Sequence, residues 1–218
     1  MKKHILLLLF FLIFNCEDNS VNPLEYNPDL TVKENLINGV SILEISFHHD
    51  ISEFYGIEFG GGFIYHVNPI EGEMIVATDF SEIGSVAWGD VFDLDTDMSI
   101  GSGDLNTMLI IQGNENDNSS NGIEFGSDNY AFKIVDDLDF NGFDNWFIPS
   151  SDSMAAIYQN IHSIGFGNFD ESLIYWSSTK EGYFPYVMAF NFESWGGLPL
   201  PGSCLDANGL LISRKIQQ

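Results

Sequence analysis

Basic residues are scarce in this chain: seven lysines and arginines stand against 32 aspartates and glutamates, for a formal net charge of −25. That balance excludes nucleic acid as a partner, because phosphate recognition relies on Lys and Arg to neutralise the backbone and release counterions. Direct docking on anionic lipid is disfavoured for the same reason. The acidity itself serves either solubility outside the cytoplasm or cation binding. Long apolar runs are also lacking. Ile5 to Phe14 falls far short of the ~20 residues that span a bilayer. Cysteine is nearly absent, at Cys16 and Cys204 alone. Aromatics are not scarce: they make up 14% of residues, with 19 Phe, enough for a packed core rather than a wholly disordered chain.

The apolar run follows Lys2-Lys3 and ends at Cys16. A basic n-region before an apolar core of roughly 7–15 residues is the pattern of a secretory signal. Ile13-Phe14-Asn15-Cys16 resembles the bacterial lipobox. The resemblance implies that residues 1–15 are a signal peptide and that Cys16 becomes the lipidated first mature residue. Acylation there leaves Cys204 without a disulfide partner, as a buried small hydrophobe. Residues 16–38 are expected to form a lipidated tether, since Glu17 to Asp29 is polar, acidic and broken by Pro23 and Pro28. Acidic residues directly after the cysteine resemble the surface-export signal of Bacteroidetes-type lipoproteins. That implies an outer membrane lipoprotein facing the cell exterior, touching the membrane only through its anchor. Residues 39–218 are expected to form one domain.

Within that domain Val40, Ile42, Leu43, Ile45 and Phe47 roughly alternate with polar residues and predict a strand, which would turn His48 and His49 to opposite faces. Gly60-Gly61-Gly62 leads into a strand at Phe63–Val67 and has neither the following helix nor the lysine of a phosphate loop. Met74–Ala77 after the Glu71-Gly72 turn completes a hairpin. Three short helices are predicted. One runs Leu105–Gln112 with Ser102 or Asp104 as its cap. A second carries Ala131, Phe132, Val135 and Leu138. The third starts at a Ser150 cap and buries Met154, Ile157, Tyr158 and Ile161. Strand-like segments close the chain at Leu173–Ser177, Tyr186–Phe192 and Leu210–Ile216. The pattern is that of an α+β domain with a mainly antiparallel sheet.

Asn141-Gly142-Phe143-Asp144-Asn145-Trp146-Phe147-Ile148-Pro149-Ser150, then Ile157-Tyr158-Gln159-Asn160, then Tyr175-Trp176-Ser177-Ser178-Thr179 form a specific series. With Gly61-Gly62-Phe63-Ile64-Tyr65, Trp88-Gly89, Ile100-Gly101-Ser102-Gly103 and Asn106-Thr107, it resembles the landmarks of the family named after the C-terminal domain of the Legionella collagen-like adhesin. The likeness covers about Gly56 to Ile216. It implies a C-type-lectin-like fold and, from the founding member, an adhesive role toward polyanionic glycans. This chain departs from that pattern in three places. Gln112-Gly113 and Ile134-Val135 stand where the family often has a cysteine pair. Ser151-Asp152-Ser153-Met154 lacks the glutamate of the usual helix start. Arg214 and Lys215 are what remains of a more basic closing strand.

Asp144, Trp146, Tyr175 and Trp176 have two readings, as a core with a turn-fixing carboxylate or as a shallow sugar-binding face. Trp195, between Ser194 and Gly196-Gly197, is a further candidate platform. Two acidic runs have calcium-like spacing: Asp93, Asp95 and Asp97 with Asp104 at position twelve, and Asp137, Asp139 and Asn141 before Gly142. The second run has Ile148 where a bidentate glutamate belongs. No metalloprotease, nucleophile-elbow or paired-cysteine motif is present, so no enzyme is expected. The expectation is a lipid-anchored lectin-like binding module with an extracellular glycan or envelope protein as partner. The alternative is an acidic, calcium-steadied structural module of an envelope assembly without a small ligand.

Overall fold

The computed structural model describes residues 24–79, 83–89, 91, 94–116, 129–189, 199–204 and 206–218. Cys16, Asp93 and Trp195 lie outside them. The elements run α1 (Val32–Ile37), α2 (Ile42–Ser46), a 3₁₀ turn at Ile51–Phe54, β1 (Glu58–Phe59), β2 (Gly62–Asn68), β3 (Glu73–Thr78) and β4 (Ser85–Ala87). There follow α3 (Gly103–Asn116), α4 (Ala131–Asp136), α5 (Ser151–Asn160), β5 (Ile174–Glu181), β6 (Phe184–Ala189), β7 (Leu200–Pro201), β8 (Ala207–Gly209) and β9 (Ile212–Gln217). The strands form two sheets, ordered β1-β2-β3-β9 and β4-β8-β5-β6-β7. Every pairing is antiparallel except the single parallel contact of β5 with β8. The fold is thus α+β with mainly antiparallel sheets. Among the described residues no helix is long and apolar enough to cross a membrane.

The first sheet is covered on both sides, which is why β3 reads as a continuous apolar run rather than an alternation. Ile64, Met74 and Val76 face Leu36, Ile42, Ile45 and Phe54. Tyr65, Ile75 and Ala77 face Met154 and Ile157 of α5 and Ile161 just beyond its end. A third cluster, with Trp88, Phe132, Trp146, Trp176, Leu210 and Ile212, sits under α3 and α4. The chain passes from β8 through Leu210 and Leu211 directly into β9, tying the sheets together. Backbone bonds between Phe147 and Ser213 (2.8 and 2.9 Å) hold the segment before α5 against β9.

The glycine cluster is a hairpin. Gly60 and Gly61 turn β1 into β2 at φ of 58° and 90°. A Cβ on Gly62 would lie 2.6 Å from the Ala77 carbonyl oxygen of the neighbouring strand, so only glycine fits. Gly103 meets the same constraint at the head of α3, where a Cβ would lie 2.6 Å from the Ile148 carbonyl oxygen.

The N-terminal region corrects two expectations. The predicted strand around Val40–Phe47 is the helix α2: Ser41 Oγ accepts from the Glu44 amide (3.2 Å), and Ile42 and Ile45 share the buried face. The expected tether to residue 38 is folded from at least Asn27 onward. Thr31 and Glu34 form a reciprocal capping box on α1. The fully buried Asn35 amide donates to the carbonyls of Asn27, Leu30 and Thr31 and accepts from the Asn27 amide (2.9 Å). Five α-helices, rather than about three, therefore lie among the described residues. The two histidines follow α2 rather than lying on a strand. His48 stacks on Tyr26 at 4.1 Å, and His49 bridges the Tyr26 hydroxyl (2.8 Å) and the Glu53 carboxylate (2.9 Å). Asn35→Ala is expected to cost about 1–3 kcal/mol, since it strands several buried backbone groups. Urea denaturation checks this, with faster proteolysis ahead of Thr31 as a second sign.

His66, half-buried in β2, has its pKa lowered by desolvation, against an opposing pull from Glu73. A histidine lowered on folding contributes its full stability above the ordinary value of about 6.5. That contribution is lost as pH falls through the window beneath it, because the unfolded chain takes up the proton first. His66→Gln is expected to flatten part of the fall in melting temperature between about pH 7 and about pH 5, read by scanning calorimetry of both proteins.

Candidate functional site

The Asn141-to-Ser150 landmark begins with a two-residue hairpin. Phe140 and Phe143 exchange both backbone bonds (3.0 and 3.1 Å), and Asn141 and Gly142 take φ of 55° and 77°. This Asn-Gly turn needs left-handed conformation at both central positions. It accounts for the residues that gave the Asp137-Asp139-Asn141 run its calcium-like look. Asp137 pairs with Lys133 one helical turn back (2.6 Å), Asp139 is exposed, and the Asn141 amide donates to the Gly61 carbonyl (3.3 Å).

Behind the turn, Trp146 is buried and donates to the carbonyls of Phe140 (3.2 Å) and Phe143 (3.0 Å). Arg214, which sequence reasoning passed over as a remnant, lies 3.7 Å above the Phe143 ring. It donates to the Asn145 side chain (2.9 Å) and to the Gly60 carbonyl (2.7 Å). Burial lowers its pKa and the exposed Asp144 pulls it back up. The guanidinium therefore clasps the β1–β2 turn to the landmark loop. Its neighbour Lys215 pairs with Asp104 (2.9 Å), so the closing strand offers no open basic patch among the described residues.

Tyr175 and Trp176 are adjacent in β5 and point to opposite faces, into different clusters. Tyr175 is buried, donates to the Asp170 carbonyl (3.1 Å) and has its phenol pushed up to about 12 by burial. Trp176 is fully buried with its indole N–H on the Val86 carbonyl (2.7 Å). Trp88 is equally buried and donates to the Ser177 carbonyl (3.0 Å). Trp146, Tyr175 and Trp176 are therefore corrected from ligand-surface candidates to core residues: each ring is sealed by packing and each donor is used inside. Asp144 alone of that group is exposed.

The first acidic run does not converge either. Asp97 accepts from the Ser99 amide (2.8 Å) and hydroxyl (2.7 Å), which lowers its pKa. Asp95 accepts from the Gly182 amide (3.0 Å), while Asp104 is engaged by Lys215. Among the described residues no group of three or more His, Cys, Asp or Glu side chains could hold a metal ion.

A concave surface lies elsewhere, at the far edge of the second sheet. An open hollow of about 350 Å³ is lined by Phe184, Pro201, Gly202, Ser203 and Asp206. The β6–β7 pairing of Tyr186 with Pro201 and the bond from the Gly202 amide to the Pro185 carbonyl (2.7 Å) fix its walls. The Asp206 amide donates to the Ser203 carbonyl (3.0 Å) and closes its rim. Above it the β5–β6 hairpin tip carries Tyr183 and Phe184, 66% and 55% exposed. Lys180, the cation nearest in sequence, is fully buried and donates to the carbonyls of Leu94 and Gly182. Among the described residues, Asp206 is therefore the one ionisable side chain lining the hollow. Two consecutive aromatics after Gly182, with Pro185 behind them, were a readable sign of such a tip.

No protein-family model matches this sequence, and no curated protein is significantly similar to it.

Proposed function

We propose that this chain is a lipid-anchored, surface-displayed binding module of the C-type-lectin-like kind, held at Cys16, that takes an uncharged extracellular glycan in the hollow between β6 and β7. The observation that carries the reading is the hollow itself, where an exposed aromatic face sits beside a hydroxyl and a carboxylate. Sugar rings stack their C–H faces on such aromatics, and a carboxylate accepts from neighbouring sugar hydroxyls. The likeness to the collagen-like adhesin family supports the class, through motifs whose residues pack as turns, caps and core. It does not extend to the founding member's polyanionic ligands, because among the described residues no cation lines the hollow and the chain is strongly acidic.

A glycan array probed with the full-length protein in detergent, with and without chelator, tests this. Binding to uncharged glycans, unaffected by chelator and absent from sulfated ones, is expected. Chelator-dependent melting with no glycan signal would instead favour the calcium-steadied structural module.

A further inference from the structure

Exposed apolar side chains gather at the end of the domain where the chain enters from Cys16. Leu24, Ile37, Leu43, Phe47 and Ile70 all face solvent, Ile70 at 90% and Phe47 at 71%. Single exposed apolar residues are ordinary, but a group of them marks a contact surface. Leu24 sets a methyl 3.5 Å from where a Cβ on Gly39 would lie, in the short link between α1 and α2. Tyr26 stacks on His48 just past the other end of α2, so the entering segment runs alongside that helix. Ile37 is the last residue of α1, two before Gly39. Leu43 and Phe47 are four residues apart, on the side of α2 opposite the buried Ile42 and Ile45. Ile70 belongs to the same end. The Ile42 amide donates to the Gln218 side chain (3.0 Å), and the Gln218 amide donates to the Gly72 carbonyl in the β2–β3 turn (3.0 Å). None of the five lines the hollow.

The length of chain ahead of Leu24 says what covers this end. From Cys16 to Leu24 the backbone reaches at most about 29 Å, whereas a domain of this size is roughly 40 Å across. A lipid at Cys16 therefore holds this end, and not the opposite one, against the membrane. Charge narrows the occupant further. Leu24, Leu43 and Ile70 are each followed by a glutamate, Glu25, Glu44 and Glu71. Lys33, the cation of α1, is spent on Glu58 (3.9 Å). Carboxylates beside apolar side chains are repelled by anionic lipid. They suit a zwitterionic leaflet, whose outermost groups are cationic and whose interface accepts exposed Ile, Leu and Phe.

We infer that this end is a membrane-docking face, with Ile37, Phe47 and Ile70 entering the interface of the zwitterionic leaflet that carries the anchor. The inference rests on the lipidation of Cys16 proposed above and adds a second contact to the one the acyl chains make. The tether keeps the face close to the lipid, so a few shallow side chains suffice to hold it there.

Flotation of the native full chain with phosphatidylcholine vesicles reads the anchor alone. Docking is read separately by hydrogen exchange on the same vesicles, comparing the parent with Ile37→Ser/Phe47→Ser/Ile70→Ser. If the native chain does not float, both proteins are coupled through Cys16 to a maleimide-headgroup lipid, Cys204 being buried, so docking is still tested. The expected result is that amides of residues 37–48 and 70–72 exchange at least about threefold more slowly in the anchored parent than in the anchored variant. Residues 141–145 exchange alike in both. The difference shrinks when about a third of the lipid is phosphatidylglycerol, and it vanishes between Cys16→Ser forms of the two proteins in solution. Equal exchange of the two anchored proteins would overturn the docking face. So would a difference that extends equally to residues 141–145, grows on the anionic vesicles, or persists in the Cys16→Ser forms.

Discussion

Trp176→Ala is expected to lower the melting temperature by about 10 °C or more, from a loss of about 3–5 kcal/mol. The indole is fully buried and its N–H is spent on the Val86 carbonyl. The indole and Val187 fill the space where a Cβ on Gly202 would sit, 3.3 and 2.8 Å away, so the ring packs directly on that backbone. Truncation removes the transfer free energy of the ring and leaves a cavity in the cluster it shares with Trp88, Phe132 and Trp146. Trp176→Phe should retain more than half of the lost stability, since most of the buried area survives. If Trp176 were instead a ligand platform, the alanine variant would melt near the parent temperature while losing binding. Differential scanning calorimetry separates the two outcomes.

Asn106→Leu comes next in size, at about 2–4 kcal/mol. This buried amide accepts from the Asp97 amide (3.0 Å) and donates to the Asp97 carbonyl (2.6 Å) and to Ser178 Oγ (3.2 Å). It therefore pins the loop before α3 to β5. Thr96 supports the same junction, donating to the Ser178 carbonyl (2.7 Å) and accepting from the Lys180 amide (2.8 Å). Leucine matches the volume but strands the Asp97 backbone groups and the Ser178 hydroxyl. Hydrogen exchange should show residues 96–102 losing protection well before the β2–β3 hairpin does. Equal loss of protection across both would mean that Asn106 acts on global stability alone.

The parts legible in the sequence were those governed by local rules. Helix α5 was readable because Ser150 caps it and Met154, Ile157 and Tyr158 repeat on one face, all of which the structure retains. The β2–β3 hairpin was readable from its glycines and the turn. Failures came where two rules competed. Val40 to Phe47 alternates well enough to resemble a strand, yet Ser41 and Glu44 carry a helix-start signal three residues apart, and capping won because Ile42 and Ile45 then reach the sheet. The same spacing at Thr31 and Glu34 marked a helix inside what composition alone read as tether. The acidic runs misled because alternate carboxylates serve turns and caps as readily as cations, and Asp97 with Ser99 is such a turn. Aromatic candidates misled for a different reason. Nothing in the sequence says which side of a strand faces solvent when both are covered, and Tyr175 and Trp176 fill opposite sides of β5. The hollow at β6–β7 depends on strand pairing across some 15 residues, a distance over which local patterning carries little information.

The account turns on a division of labour in which the landmark tryptophans build the core and the hairpin tip at Phe184 meets the ligand. Its most direct test is a calorimetric titration of the strongest array glycan into Phe184→Ala and Trp176→Phe. The account predicts that Phe184→Ala binds at least about tenfold more weakly, roughly 1.4 kcal/mol, while melting within about 2 °C of the parent, and that Trp176→Phe binds with unchanged affinity. Full affinity in Phe184→Ala, or lost affinity in a well-folded Trp176→Phe, would contradict it.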